Sequence, residues 1–287
     1  MEGETMPKSI KPPRRGELLS DQLLLEDHQI FARIFVAEDG GPIRTLITGR
    51  EHHATGRFVS VKAGHRALPW ESLRGELPAL ELMEAAPPVH RMMAQPHRLE
   101  MIIEGVPAPL VFFPDLRLTV DARFASALAG GVPFLLACAE WRPDASTAGD
   151  TRELIVEVKT ANDPRNADPV YQSKLALAEE VYGRIGWQFF QFVDPTGLGY
   201  SRIAHAVREI VLDHDVIVSP HEVHLAQKAL SDGPVTLDAV LDALGGNAAA
   251  IQKACALHVR RLLCIDIAGR LAPESMVFPM GSIGGAA

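Results

Sequence analysis

The run Glu153-Leu154-Ile155-Val156-Glu157-Val158-Lys159 constrains this chain more than any other segment does. Its β-branched centre predicts a strand over 153–159. Alternation along a strand sends Glu157 and Lys159 to one face. A carboxylate inside an apolar strand is costly to bury unless a metal or a charged partner compensates it. The fold must therefore bring compensating groups to this strand.

The neighbouring pattern supplies a framework. Leu99, Met101 and Ile103 alternate along a strand that meets Gly105, and Leu110 to Phe113 reads as the returning arm of a hairpin. Leu175, Ala178, Val181 and Tyr182 recur at helical spacing, which predicts a helix over 171–184 ending in Gly183 to Gly186. Trp187 to Val193 reads as a buried strand after it. The segment 121–152 is a long connection: Phe134 to Cys138 fits either a strand or a helix, and 143–150 is turn-rich. The order strand, strand, strand, helix, strand predicts an α/β or α+β domain over 17–196.

Beyond 197 the composition changes. Leu237, Val240, Leu241 and Leu244 form a helical stripe with Thr236 as N-cap and Gly245-Gly246 as its stop. A second helix over 248–261 and a strand over 262–267 follow. Helix, tight turn, helix and strand predict a small winged-helix-like domain over 197–287. Residues 1–16, with Lys8, Lys11, Arg14 and Arg15 among prolines, read as a flexible basic arm.

Composition excludes several classes. No stretch reaches the roughly 18 apolar residues of a membrane span, and Met1-Glu2-Gly3-Glu4 is not the start of a signal peptide, so the expected location is the cytoplasm. Cys138, Cys255 and Cys264 form no CxxC pair and read as buried packing residues. The net charge of -8 argues against DNA held by a generally basic surface, because phosphate neutralisation supplies most non-specific affinity.

Asp115 follows Pro114 beside an apolar strand, so it can converge with Glu157 and Lys159 as two carboxylates and an amine. Phosphodiester cleavage needs such a set: hard oxygens to hold magnesium, with the Val158 carbonyl as a further ligand, and a lysine to orient the attacking water. Asp144 also follows a proline and lies nearer Glu157 in sequence, but it sits among turn residues. His52, His53, His65, His90 and His97 form no HExxH pair, and His221 and His224 read as a solvated helix start. Gly245-Gly246-Asn247 is a turn, not a nucleotide cradle, and no Gly-x-Ser-x-Gly elbow occurs.

Five pieces stand in order over about residues 45–195: Arg57 to Lys62, Trp70-Glu71-Ser72-Leu73, Gln95-Pro96, Phe113-Pro114-Asp115, and Val156-Glu157-Val158-Lys159. Together they resemble the TnsA-type endonuclease subunit of heteromeric transposases, a branch of the PD-(D/E)XK restriction-like nucleases. The resemblance implies a restriction-endonuclease-like α/β fold, a mixed sheet flanked by helices. It implies Glu71 as the glutamate of the helix preceding the sheet, Asp115 and Glu157 as metal-binding acids, and Lys159 as the catalytic lysine. It gives Gln95 a structural or near-site role. Family members often carry another glutamate after the Glu-Ser pair, so Glu76 stands as the alternative to Glu71; Pro78 should shorten or kink that helix.

The resemblance further implies a magnesium-dependent endonuclease, with manganese as a substitute. It would cut one strand at transposon ends and act beside a separate Asp-Asp-Glu recombinase and an ATP-dependent regulator. Two alternatives stay open: a stand-alone restriction or repair nuclease, and a non-catalytic DNA-binding or assembly protein on a degenerate nuclease core.

Overall fold

A computed structural model describes residues 17–19, 30–44, 54–103, 107–147, 149–193 and 201–280. The basic arm over 1–16, the Gly105 turn, and His52 and His53 lie outside the described residues. The chain is a mixed α/β protein. It opens with β1 (Glu17–Leu19), β2 (Ile30–Ala37) and the hairpin β3 (Gly56–Ser60) and β4 (Arg66–Trp70). Next come α1 (Glu76–Ala85), β5 (Val89–Ala94), β6 (Arg98–Ile103), β7 (Leu110–Phe112) and β8 (Leu116–Asp121). Then follow α2 (Ala122–Ala129), α3 (Phe134–Glu140), β9 (Thr151–Lys159), α4 (Pro169–Arg184) and β10 (Gln188–Val193).

Two four-stranded sheets carry the architecture, in the orders β1-β2-β6-β7 and β10-β9-β8-β5. The predicted hairpin is β6–β7, paired antiparallel through Leu99↔Phe112. The predicted strand over 153–159 is β9. It lies between antiparallel β8 (Leu116↔Val156) and parallel β10 (Phe190↔Val156), the parallel pair being joined through α4.

β9 is buried on both faces, which explains its nearly unbroken apolar sequence. Leu154, Val156 and Val158 point into a core shared with Leu118, Leu82, Phe124 and Val207. Ile155 points the other way, into a second core with Leu175, Ala178, Val181 and Tyr182 of α4 and with Ile34, Leu99 and Met101 of the first sheet. Asp168 caps α4 by accepting from the Val170 amide, and Pro169 opens the helix, where its missing N–H costs nothing.

The structure corrects the sequence reading at four places. β8 is a separate strand after Asp115, and β5 is its other partner; Pro114 and the short β7 had merged these elements into one hairpin arm. The 121–152 connection is mostly helical, with α3 resolving the Phe134–Cys138 alternatives as a helix. β10 is a half-exposed edge strand rather than a buried one, because only Phe192 of its residues is fully buried. Glu71 precedes α1 instead of lying in it; Gly75 caps that helix, and Pro78 is accommodated in its first turn.

After 200, α5 (Ile203–Leu212) packs on α1 and contributes Ala206, Val207 and Ile210 to the main core. A smaller core then gathers α6 (Pro220–Ala229), β11 (Val235–Thr236), α7 (Leu237–Ala243), α8 (Ala248–Val259), β12 (Leu263–Ile265) and β13 (Met276–Pro279). Thr236 caps α7 as its sequence predicts, and β11-β13-β12 form a small antiparallel sheet. No helix of the described residues is long and apolar enough to cross a membrane.

His258 ties this unit to the main body. Its Nδ1 accepts from the Ile265 amide at 2.9 Å, so the proton sits on Nε2, which donates to the Ala85 carbonyl at 2.8 Å. Burial pushes its pKa down to about 3, and protonation would remove the acceptor that Ile265 needs. A histidine whose folded pKa is depressed contributes stability that is fully present above about pH 6.5 and is lost as pH falls toward 3. Replacing His258 with Ala should destabilise the fold by about 3 kcal/mol, because two buried backbone groups lose their partner. It should also flatten part of the loss of stability between pH 6.5 and 4, both read from denaturant unfolding curves.

Candidate functional site

The register of β8 and β9 creates the site. Continuing Leu116↔Val156 by one residue sets Asp115 across from Glu157. Asp115 Oδ2 accepts from the Val158 amide at 2.7 Å, which locks the carboxylate against the opposite strand. Glu157 and Lys159 share the β9 face beneath α4, and both are almost fully buried. Lys159 Nζ donates to Glu157 Oε1 at 2.7 Å.

Tyr171, at the start of α4, completes this arrangement. Its hydroxyl lies 2.5 Å from Glu157 Oε1, to which it donates, and 2.5 Å from Lys159 Nζ, from which it accepts. Burial and the Glu157 charge push the phenol up and keep it protonated. A buried ion pair costs several kcal/mol per ion in desolvation, offset only by good geometry and further hydrogen bonds. Tyr171 provides such bonds, and Asp163 adds a longer ion pair at 3.9 Å from Lys159 Nζ.

Asp115, Glu157, Val158, Asp163 and Tyr171 line a cavity of about 290 Å³, with Lys159 buried behind Glu157 and Tyr171 and bonded to both. Its other walls carry Arg44, Glu71, Glu76, Gln95, Arg165 and Lys174. Gln95 holds a left-handed backbone, φ 48°, unusual for a residue other than glycine. That conformation lets its amide donate to the Asp115 carbonyl at 2.8 Å while its own carbonyl accepts from the Ile43 amide. Its side-chain oxygen accepts from Arg44 at 3.3 Å. Gln95 therefore braces the backbone of Asp115.

The two candidate glutamates differ in position. Glu71 is half-exposed at the cavity wall and pairs with Arg44 at 3.6 Å. Glu76 opens α1, where the helix dipole favours an acid, and its carboxylate accepts from the Glu71 amide at 2.7 Å. Desolvation, followed by repulsion from Glu71 and Glu157, raises Glu76 to about 7. Asp115 is raised well above the usual carboxylate range, first by desolvation and then by Glu157 and Glu76. Both shifts mark acids crowded together with too little positive charge between them.

Among the described residues no three His, Cys, Asp or Glu side chains cluster as a metal-ligand set. Magnesium does not require one, since it commonly keeps several waters and takes one or two carboxylates. The donors here fit that demand. Glu157 Oε2 is buried and without a hydrogen-bond partner, and the mutual repulsion of Asp115, Glu157 and Glu76 is what a cation relieves. Asp115, Glu157 and the Val158 carbonyl could hold such an ion, with Glu71 at the wall.

Sequence reasoning identified Asp115, Glu157, Lys159, Gln95 and both glutamates; the structure sets all but Lys159 in the lining of one cavity, and Lys159 is buried behind it, bonded to Glu157. It did not single out Tyr171, Asp163, Arg165 or Lys174. Tyr171 was legible only as the first apolar residue of an amphipathic helix. Asp144 lies in an exposed turn bonded to Ser146 and Arg123, outside the cavity. Neither a protein-family model nor a curated protein matches the chain.

A carboxyl group whose folded pKa is raised contributes stability that is full below its unfolded pKa and lost as pH rises through the folded value. In protein stripped of divalent cations, stability should therefore decline from pH 4.5 toward 7 on account of Glu76. Glu76→Gln should flatten that decline, as measured by urea midpoints across the range.

Proposed function

We propose that this chain is a magnesium-dependent endonuclease that hydrolyses a DNA phosphodiester. The observation that carries the proposal is the contact of Asp115 with the Glu157-Val158-Lys159 strand inside one recessed cavity. Two hard carboxylates beside an ammonium match what this reaction demands, whereas an oxidoreductase or acyl-transfer reading has no comparable set. The fold class and the sheet order are compatible with a restriction-endonuclease-like core.

Each residue has a definable task. Asp115 and Glu157 hold the cation, with the Val158 carbonyl and Glu71 as further oxygens. When bound, magnesium supplies charge stabilisation at the scissile phosphate. Lys159 orients the attacking water and offers positive charge as negative charge develops on the phosphate oxygens. Tyr171 holds the Lys159 and Glu157 side chains in register. Arg44, Arg165 and Lys174 at the walls supply donors for the flanking phosphates.

The order helix, strand, helix, helix, strand, strand over α6 to β13 supports reading this unit as a winged helix. We assign residues 17–196 to the nuclease and 197–287 to the C-terminal module, with α5 as the packed joint between them. The resemblance to TnsA-type subunits extends the proposal to cleavage of one strand at transposon ends beside a separate Asp-Asp-Glu recombinase, with an ATP-dependent regulator as a further partner. The net charge of -8 supports dependence on a partner already bound to DNA.

Nicking of element-end DNA in magnesium, with and without the recombinase, tests this reading. Asp115→Asn, Glu157→Gln and Lys159→Ala should each reduce cleavage on the order of 10³-fold, with folding checked by thermal melts. Unchanged cleavage by Lys159→Ala would sink the mechanism. Tyr171→Phe should slow cleavage by about tenfold, equivalent to about 1.4 kcal/mol of barrier. Millimolar magnesium should raise the melting temperature of the wild type but not of Asp115→Asn.

A further inference from the structure

A second, larger cleft lies on the β5–β8 flank of the second sheet, with a volume of about 980 Å³. Its charged lining consists of Lys62, Arg91, Arg117, Arg260 and Arg261 against the single acid Glu153. In a protein of net charge -8, that local excess of cations is not an average surface property.

These cations are not equivalent. Lys62 donates its Nζ protons to the Met83 and Ala86 carbonyls at 3.0 and 2.6 Å, and burial lowers it to about 7, so it serves the fold. Arg261 is committed to the Pro87 carbonyl. Arg91 is exposed and has no acidic partner among the described residues. Arg260 is half-buried and makes no ion pair among the described residues; it donates to the Ala256 carbonyl at 2.9 Å and to the His214 and Asp215 carbonyls at 3.5 Å, with the Asp215 and Glu84 charges nearby. Arg117 pairs with Glu153 at 2.6 Å while lying over the Trp187 ring at 4.4 Å, which holds its guanidinium flat and half-exposed.

Register relates this cleft to the first cavity. Arg117 stands across from Ile155 and Met93, and Arg91 stands across from Thr119, so these side chains share the face that carries Glu157. Arg117 lies two residues from Asp115, about 7 Å along an extended chain. Gln95 lines the first cavity and the adjacent Pro96 lines the cleft, so a single turn of chain separates the two.

We propose that this cleft is a track for the phosphodiester backbone of duplex DNA, with Arg91, Arg117 and Arg260 as its phosphate contacts. The identity of the polymer rests on the nuclease reading above. The track would hold the duplex on the face of the sheet that bears the acids, and it reconciles an acidic protein with a polyanionic substrate.

The test is fluorescence anisotropy of a labelled duplex of about 30 base pairs with full-length protein. Calcium replaces magnesium to hold off cleavage, and salt is varied. Arg91→Glu combined with Arg260→Glu should weaken binding at least tenfold and lower the slope of log affinity against log salt by about two. Arg91→Gln alone should lower the slope by about one, and Arg208→Glu, on the exposed face of α5, should leave binding unchanged. Cleavage at saturating DNA should survive in the groove variants. Unchanged affinity and slope in the double variant overturn the track, including the case in which an acidic protein occupies the cleft instead. Groove-dependent binding without wild-type cleavage in magnesium, even beside the recombinase, would instead remove the nuclease reading and leave the track standing.

Discussion

The antiparallel pairing of Leu116–Asp121 with Thr151–Lys159 is the constraint on which the rest of the structure depends. Both strands are walled by apolar side chains, and Leu118, Leu154, Val156 and Val120 are fully enclosed. A slip of one residue would turn all of these toward the wrong face, so the register is strongly specified. That same register sets Asp115 opposite Glu157. The packing of the core and the geometry of the candidate site are therefore one choice, made once.

The cost of this arrangement shows in its electrostatics. Glu157 and Lys159 would be replaced by aliphatic residues if stability alone were at issue, since buried ion pairs gain little over good apolar packing. Asp115 and Glu76 are both raised toward protonation by desolvation and by their acidic neighbours. Tyr171, Val158 and Gln95 hold the charged groups in a geometry they would otherwise relax out of. Perturbed acids held by dedicated hydrogen bonds in a cavity are characteristic of sites that do chemistry.

The C-terminal unit is part of the same construction. His258 joins α8 to the end of α1, Arg142 pairs with Asp266 at 2.7 Å, and α5 lies within the main core. α1 therefore has Glu76 of the site at its start and the contact with the C-terminal unit at its end. One helix thus carries both a group of the cavity and the contact with the C-terminal unit.

The sequence alone determined the character of β9, the shared face of Glu157 and Lys159, the helix after it, and the cap of α7. These depend on period, β-branching and short-range hydrogen bonds, all written within a few residues. Glu71 and Glu76 could not be separated this way, because the start of α1 depends on how Gly75 and Pro78 sit against the rest of the chain. β5 escaped, and β8 was not separated from β7, for a related reason: short strands beside prolines gain their stability from partners distant in sequence. Only the tertiary structure decided that Tyr171 closes over the Glu157–Lys159 pair, that Gln95 adopts a left-handed backbone to brace Asp115, and that scattered arginines gather along one cleft. Each of these is a meeting of residues far apart in the chain, and such meetings follow from the mutual burial of apolar faces, not from local pattern.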